Sequence, residues 1–185
     1  GTLTGYPCCF SNMHQGWPKF TQHLWYATPD NGIAAFSYSP SEVTAKVGNN
    51  VSVVISEDTY YPMDNRISFT IKEVKNKTKQ VEFPLHLRIP KWCKRAEIIV
   101  NGKAEQYIEG GRIAVINRIW KRNDNVELHL PMEVSTSTWY ENAVTIERGP
   151  LVYALKIKEN WKKENLNNSW YGPHYYQVTS SEPWN

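Results

Sequence analysis

Cysteine is scarce in this chain: three residues in 185, at Cys8, Cys9 and Cys93. An odd count at that spacing is no disulfide framework. The adjacent pair cannot close an ordinary bridge, because bridged Cα atoms stand about 4.4–6.8 Å apart. Long apolar runs are also missing. None approaches the ~20 residues that a bilayer-crossing helix needs, and the first residues carry no basic-then-apolar leader pattern. No membrane partner is therefore expected, and the compartment stays open. The 21 Lys and Arg are scattered among 18 Asp and Glu, for a net charge of +3. A nucleic-acid partner is not expected either, because its signature is a clustered basic face. The chain contains no Ser-His-Asp order and no Gly-rich phosphate loop, and neither an internal repeat nor a low-complexity tract.

What is abundant is aromatic. Phe, Trp and Tyr make up 13% of the chain, with 8 Trp and 11 Tyr. Aromatic rings suit the half-buried, pleated surface of strands; flat exposed rings also serve as platforms for sugars. Apolar residues at Met13, Trp17, Phe20, Leu24 and Ala27 fall at helical spacing, with Ser11 or Asn12 as N-cap. The spacing predicts one helix ending near Thr28, entered or kinked at Pro18 and stopped by Pro29-Asp30-Asn31-Gly32.

From Ile33 onward the pattern is β. About ten short runs rich in Val, Ile and aromatics, from Ile33–Tyr38 to Leu151–Ile157, are separated by turn residues at nearly regular intervals. Ile67, Phe69 and Ile71 alternate with polar neighbours, as do Val81, Phe83, Leu85, Leu87 and Ile89, and then Val126, Leu128 and Leu130. One buried face and one wet face predict a mainly β fold, an antiparallel, jelly-roll-like β-sandwich preceded by one α-helix. Pro84 inside a strand points to an edge or a bulge, and Asn101-Gly102 to a tight hairpin turn. The expected organisation is a helical segment over 1–28, a sandwich over 29–158 and a loop-rich exit over 159–185.

Reactive chemistry concentrates at Cys8 and Cys9. Two small cysteines at a helix entry can simply be packing, since free Cys is among the most buried residue types. As thiolates they would instead suit zinc, with bonds to sulfur of about 2.3 Å, and a helix N-terminus nearby lowers a thiol's pKa. His14 reads as a helix-face histidine and Cys93 as an ordinary surface or core residue. A glycosidase ordinarily needs two carboxyl groups, one as acid and one as base or nucleophile. Glu57, Asp58, Glu141, Glu147 and Glu182 are available but read as solvated strand ends, with Glu147 and Arg148 forming a local ion pair at a turn.

The phrase Cys8-Cys9-Phe10-Ser11-Asn12-Met13-His14-Gln15-Gly16-Trp17, followed by Leu24-Trp25-Tyr26-Ala27 and Asp30-Asn31-Gly32, resembles the cysteine-dependent β-L-arabinofuranosidase family of glycoside hydrolases. Later phrases agree in order: Thr59-Tyr60-Tyr61-Pro62, Leu87-Arg88-Ile89-Pro90-Lys91-Trp92, Arg118-Ile119-Trp120, Glu147-Arg148-Gly149-Pro150-Leu151 and Ser181-Glu182-Pro183-Trp184-Asn185. The resemblance implies that the chain is the C-terminal part of a larger enzyme, with the helical segment left over from an (α/α)₆ catalytic barrel. It implies Cys8 as the catalytic nucleophile, and Cys8 and Cys9 as two of the ligands of a zinc ion. A Glu and a Cys would complete the site and a further Glu would act as acid/base, all from the barrel. The parent would cleave a plant-type oligosaccharide or glycoside. This chain, lacking the rest of the site, is expected to bind no zinc and to hydrolyse nothing. Its remaining expected partners are its own catalytic barrel or, in isolation, a second copy. Relatives in gut bacteria point to a periplasmic or secreted parent. One position departs from the family pattern: Gln15 stands where arabinofuranosidases often have Arg, which places this chain in a divergent branch and leaves its sugar specificity open. The alternative reading is a non-catalytic carbohydrate-binding or structural β-sandwich.

Overall fold

The computed structural model describes residues 12–156, 158–164 and 175–181. A 3₁₀ turn at Met13–Gln15 leads into helix α1, Gly16–Gln22, with Pro18 in its first turn, where the missing N–H breaks no helical bond. Asn12 occupies the N-cap but its side chain does not cap; Gln15 Nε2 donates to Asn12 Oδ1 instead, at 2.6 Å.

The helix stops short of the expected Thr28. Trp25–Ala27 is strand β1, paired antiparallel with β2, Ile33–Ala35. Pro29-Asp30-Asn31-Gly32 is thus a connection between two strands, with Asn31 in the left-handed region at φ 58° and the backbone closed by Thr28 N–H to Gly32 O. Leu24 and Ala27 satisfy helical spacing, but Trp25 gains more from the sandwich core, where its ring meets Phe69 edge-on with centroids 5.8 Å apart. Gly32 is required at this corner, since a Cβ there would lie 2.2 Å from the Pro84 carbonyl oxygen.

The strands that follow are β3 Ser41–Val47, β4 Val51–Thr59, β5 Arg66–Lys75, β6 Gln80–Arg88, β7 Arg95–Val100, β8 Lys103–Glu109, β9 Ile113–Lys121 and β10 Asn125–His129. They form a six-stranded sheet, β3-β4-β5-β10-β7-β8, and a four-stranded sheet, β1-β2-β6-β9. The alternating residues meet between the sheets as expected: Ile67, Phe69, Ile71, Val81, Phe83, Leu85, Leu87, Ile89, Val126, Leu128 and Leu130 belong to one buried cluster. All pairings in the two sheets are antiparallel except β2 with β6, where Ile33, Ala34 and Ala35 run parallel to Leu85, His86 and Leu87. Pro84 was expected at an edge or a bulge, and β6 lies inside its sheet. The register reconciles the two, since β2 begins opposite Leu85 and leaves Pro84 just beyond its end. The turn at Asn101-Gly102 joins β7 to β8 with both residues at positive φ, 50° and 77°, as a tight two-residue hairpin requires.

A three-stranded sheet follows, from β11 Val134–Thr138, β12 Val144–Arg148 and β13 Leu151–Tyr153. The region expected to be a loop-rich exit contains a hairpin of β14, Asn160–Glu164, and β15, Tyr175–Thr179. Its sequence is too polar to show a strand period, but cross-strand rings support it, with Trp161 and Tyr176 centroids 6.0 Å apart. The described structure divides into two compact units, one of Thr21–Tyr153 and one comprising 1–20 with 154–185. Among the described residues no helix is long and apolar enough to cross a membrane.

Trp120 anchors the core. It is fully buried, packs against Phe83 at 5.8 Å and donates from Nε1 to the Phe83 carbonyl at 2.8 Å. Trp120→Phe removes that donor and part of the ring, and is expected to lower stability by about 1–3 kcal/mol in urea unfolding.

Candidate functional site

Cys8 and Cys9, the sequence-predicted nucleophile and metal ligands, lie outside the described residues, as does Glu182. The segment that follows them is described from Asn12, where Gln15, the position that departs from the family pattern, is held by Asn12. His14 is exposed in the 3₁₀ turn rather than on a helix face. Cys93 is a core residue, fully buried and free; burial pushes its thiol up, the opposite of what a reactive cysteine needs.

The carboxylates separate. Asp58 and Glu141 are exposed, as a solvated group should be. Glu147 accepts from the Ser137 hydroxyl at 3.1 Å instead of forming the expected ion pair with Arg148. Glu57 contradicts the reading as a solvated strand end, being only 3% exposed. The reason is its period on β4, because Val53, Ile55, Glu57 and Thr59 all fall on the buried face.

Around Glu57 the chain supplies partners from the crossing between β2 and β3. One carboxylate oxygen accepts from Ser39 N–H at 2.9 Å and the other from the Ser41 hydroxyl at 3.4 Å. Ser41 Oγ in turn accepts from Trp25 Nε1 at 3.0 Å. Tyr38, in the same crossing, donates to the Arg88 carbonyl at 2.6 Å, while Arg88 Nε donates to the Phe36 carbonyl at 2.5 Å. The Tyr38 ring meets Tyr61 and Phe69 edge-on, at 5.8 and 6.2 Å. Burial pushes the Glu57 carboxyl from 4.5 up to about 8, against the opposing hydrogen bonds from Ser39 and Ser41. Burial likewise raises the Tyr38 and Tyr61 hydroxyls, with Arg88 opposing it in each case.

A catalytic carboxyl must reach its substrate. Glu57 is enclosed and faces backbone and serine donors, so its arrangement fastens the β2–β3 crossing to β4 and does no acid/base work. Asp124, also buried, is a second such fastening. It accepts from Asn101 Nδ2 at 2.9 Å and from Lys121 N–H at 2.9 Å, and so ties two turns together. Spacing alone shows neither role, although the period-2 position of Glu57 on the core face is a signal in hindsight.

The aromatic residues divide between the two readings. Trp120, Tyr38, Phe69 and Phe83 are core. Tyr26 is 41% exposed, meets Phe36 edge-on at 5.5 Å, and lines a shallow cavity of about 380 Å³ with His23 and Ser37.

A raised carboxyl sets a pH dependence. The folded form of Glu57 holds its proton between about 4.5 and 8, whereas the unfolded chain releases it over that range. Stability is therefore greatest at or below about pH 4.5 and falls as pH rises towards 8, where the folded form ionises. The total is on the order of a few kcal/mol. Urea unfolding of Glu57→Gln at pH 5 and pH 8 should show this slope removed.

The fold can now be compared with known proteins. A family model described as "Beta-L-arabinofuranosidase, GH127 middle domain" matches residues 32–132, from the corner at Gly32 through β10. Comparison with curated proteins finds no match. Among solved structures, a GH127 β-L-arabinofuranosidase from Geobacillus stearothermophilus T6 aligns with a TM-score of 0.71 and 22% identity, over 96% of this chain and 34% of that one. A structure described as a glycoside hydrolase aligns at 0.72 with 26% identity, over 97% and 34%. A further GH127 β-arabinofuranosidase aligns at 0.67 with 20% identity, over 94% and 32%. The chain spans about a third of the length of each of these structures. With more than half of its residues matched by the family model, the chain belongs to the GH127 β-L-arabinofuranosidase family, whose middle domain is its β-sandwich.

Proposed function

We propose that this chain is the C-terminal part of a retaining, β-L-arabinofuranosidase-like glycoside hydrolase, to which it contributes the nucleophile Cys8 and a supporting sandwich. The family match over residues 32–132 carries the reading. The relatives named for β-L-arabinofuranosidase activity are about three times as long, so the rest of the site is assigned to sequence beyond these residues.

Cys8 and Cys9 would hold zinc in the parent, their paired thiols offering the soft sulfur donors that zinc favours. When bound, zinc supplies a thiolate at neutral pH. The Cys8 sulfur attacks the anomeric carbon and the glycosidic C–O bond breaks. The leaving oxygen takes a proton from a carboxylic acid of the catalytic barrel. Water, deprotonated by that same carboxylate, then displaces the sulfur, and two inversions leave the configuration retained. The 185-residue chain by itself has one half of this machinery and is proposed to be inactive and zinc-free.

Met13 and Trp17 are 73% and 75% exposed, and the Trp17 ring meets Phe20 edge-on, at 6.3 Å. Large apolar side chains so placed favour a covering partner. In the parent that partner is proposed to be the barrel, and in the isolated chain a second copy. Sedimentation of the isolated chain is expected to give a dimer that Trp17→Lys returns to monomer; a wild-type monomer at high concentration would exclude the second copy.

In the parent enzyme, Cys8→Ala is expected to cut hydrolysis of an aryl β-L-arabinofuranoside by roughly 10³-fold or more and to lower bound zinc, measured by elemental analysis. Full activity in that variant, or a zinc-free active parent, would sink the reading.

A further inference from the structure

Two asparagine-bearing turns meet at one end of the sandwich. Gly48-Asn49-Asn50 joins β3 to β4, with Gly48 and Asn50 at φ 52° and 63°. The turn over 76–79 carries the chain from β5 in the six-stranded sheet to β6 in the four-stranded one, with Lys79 at φ 56°. Beside them lie the Asp30 corner and the outward residues of β6 and β9, where Pro84 is paired with Asn117 and Glu82 with Ile119.

Between these segments is a groove of about 550 Å³, lined by the polar residues Asp30, Asn49, Asn76, Gln80, Glu82 and Asn117 and by the apolar Val51, Val81 and Pro84. That volume falls within the usual range of small-ligand sites. Its chemistry is selective. Four carboxamides and two carboxylates line it without a single Lys or Arg, so nothing there neutralises an anion. Phe83 touches the groove but is buried, so no open ring stacks a flat aromatic ligand. A group of three or more Asp, Glu, His or Cys able to hold a metal is missing among the described residues.

What remains is a surface of groups that both donate and accept. A carboxamide offers two N–H donors and a carbonyl, and a carboxylate accepts at two oxygens, which suits neighbouring hydroxyls that each donate and accept. Two of the groups are already oriented. Asp30 is held by the Thr28 hydroxyl and by His86 Nε2 at 2.9 Å, and the Thr28 contact, ahead of His86, keeps its carboxyl below the usual range. Asn76 is fixed by its Nδ2 donating to the Gln80 carbonyl at 2.7 Å, while its Oδ1 is buried and without a hydrogen-bond partner.

We propose that this groove binds a neutral, polyhydroxylated ligand, a short stretch of glycan. The groove stands on its own residues, and the glycoside hydrolase reading enters only in the choice of probe. Glu82 and Asn117 are exposed on strands, so they can be changed without disturbing the core, and Asn49 offers a third change in a turn.

The test is an NMR titration of the ¹⁵N-labelled 185-residue chain with arabinotriose, and in parallel with galactotriose and xylotriose. Amide shifts confined to the neighbourhoods of Asn49, Asn76, Glu82 and Asn117 with at least one sugar are expected. Glu82→Ala, Asn117→Leu and Asn49→Ala should each weaken that binding by about tenfold while leaving the thermal midpoint unchanged. Absence of shifts with all three sugars, shifts confined elsewhere, or variants that bind like wild type would overturn the proposal. None of those results bears on the parent's Cys8-dependent hydrolysis, which is measured separately.

Discussion

A polar group that enters this sandwich is stabilised by finding a hydrogen-bond partner inside, and the ties between its strands follow from that constraint. Two sheets facing each other expel water from the layer between them, so an unpaired donor or acceptor there costs about 1–3 kcal/mol. Trp120 meets the constraint through the Phe83 carbonyl, Tyr38 through the Arg88 carbonyl, and Thr59 through the Arg66 carbonyl at 2.7 Å. Each of these bonds joins a side chain to the backbone of another strand or crossing. Glu57 and Asp124 do the same with charge-bearing groups, at the β2–β3 crossing and at the turns after β7 and β9. The polar groups of the core therefore act as ties between segments whose apolar contacts alone would tolerate more than one register.

These ties hold the crossings of the chain in place. The chain repeatedly passes between the sheets, and the crossings are where backbone groups leave the ladders. Securing them from within leaves the outer surfaces to other work. The outer face of the four-stranded sheet is one such surface, carrying the Asp30–His86 pair and the exposed side chains Val115 and Ile119.

Much of the β framework was legible because period-2 alternation is a local signal. Ile67-Ser68-Phe69-Thr70-Ile71 reads as a half-buried strand in any context, and Asn101-Gly102 reads as a turn because both residues accept positive φ. Less was legible where local signals compete. Leu24 and Ala27 continue the helical spacing, yet Trp25–Ala27 is recruited to β1 by pairing with Ile33–Ala35. The β14–β15 pair was hidden by a polar sequence, and β8 and β11 by weak alternation. As for the candidate site, Cys8 and Cys9 were recognisable as a phrase, whereas Glu57 was misread because its carboxyl type outweighed its position.

Taken by itself, the sequence determined the strand-rich class, most strand positions, the hairpin at Asn101-Gly102 and the family phrase, all properties of residues close together along the chain. Only the tertiary structure decided that β2 runs parallel to β6, that Pro84 sits inside a sheet just past the end of its neighbour, that Glu57 is buried, and that Asp30, Asn49, Asn76, Glu82 and Asn117 share one groove. The reason is distance along the chain. These features join segments up to about ninety residues apart, and which distant segments meet is set by the packing of two sheets and the satisfaction of the polar groups between them.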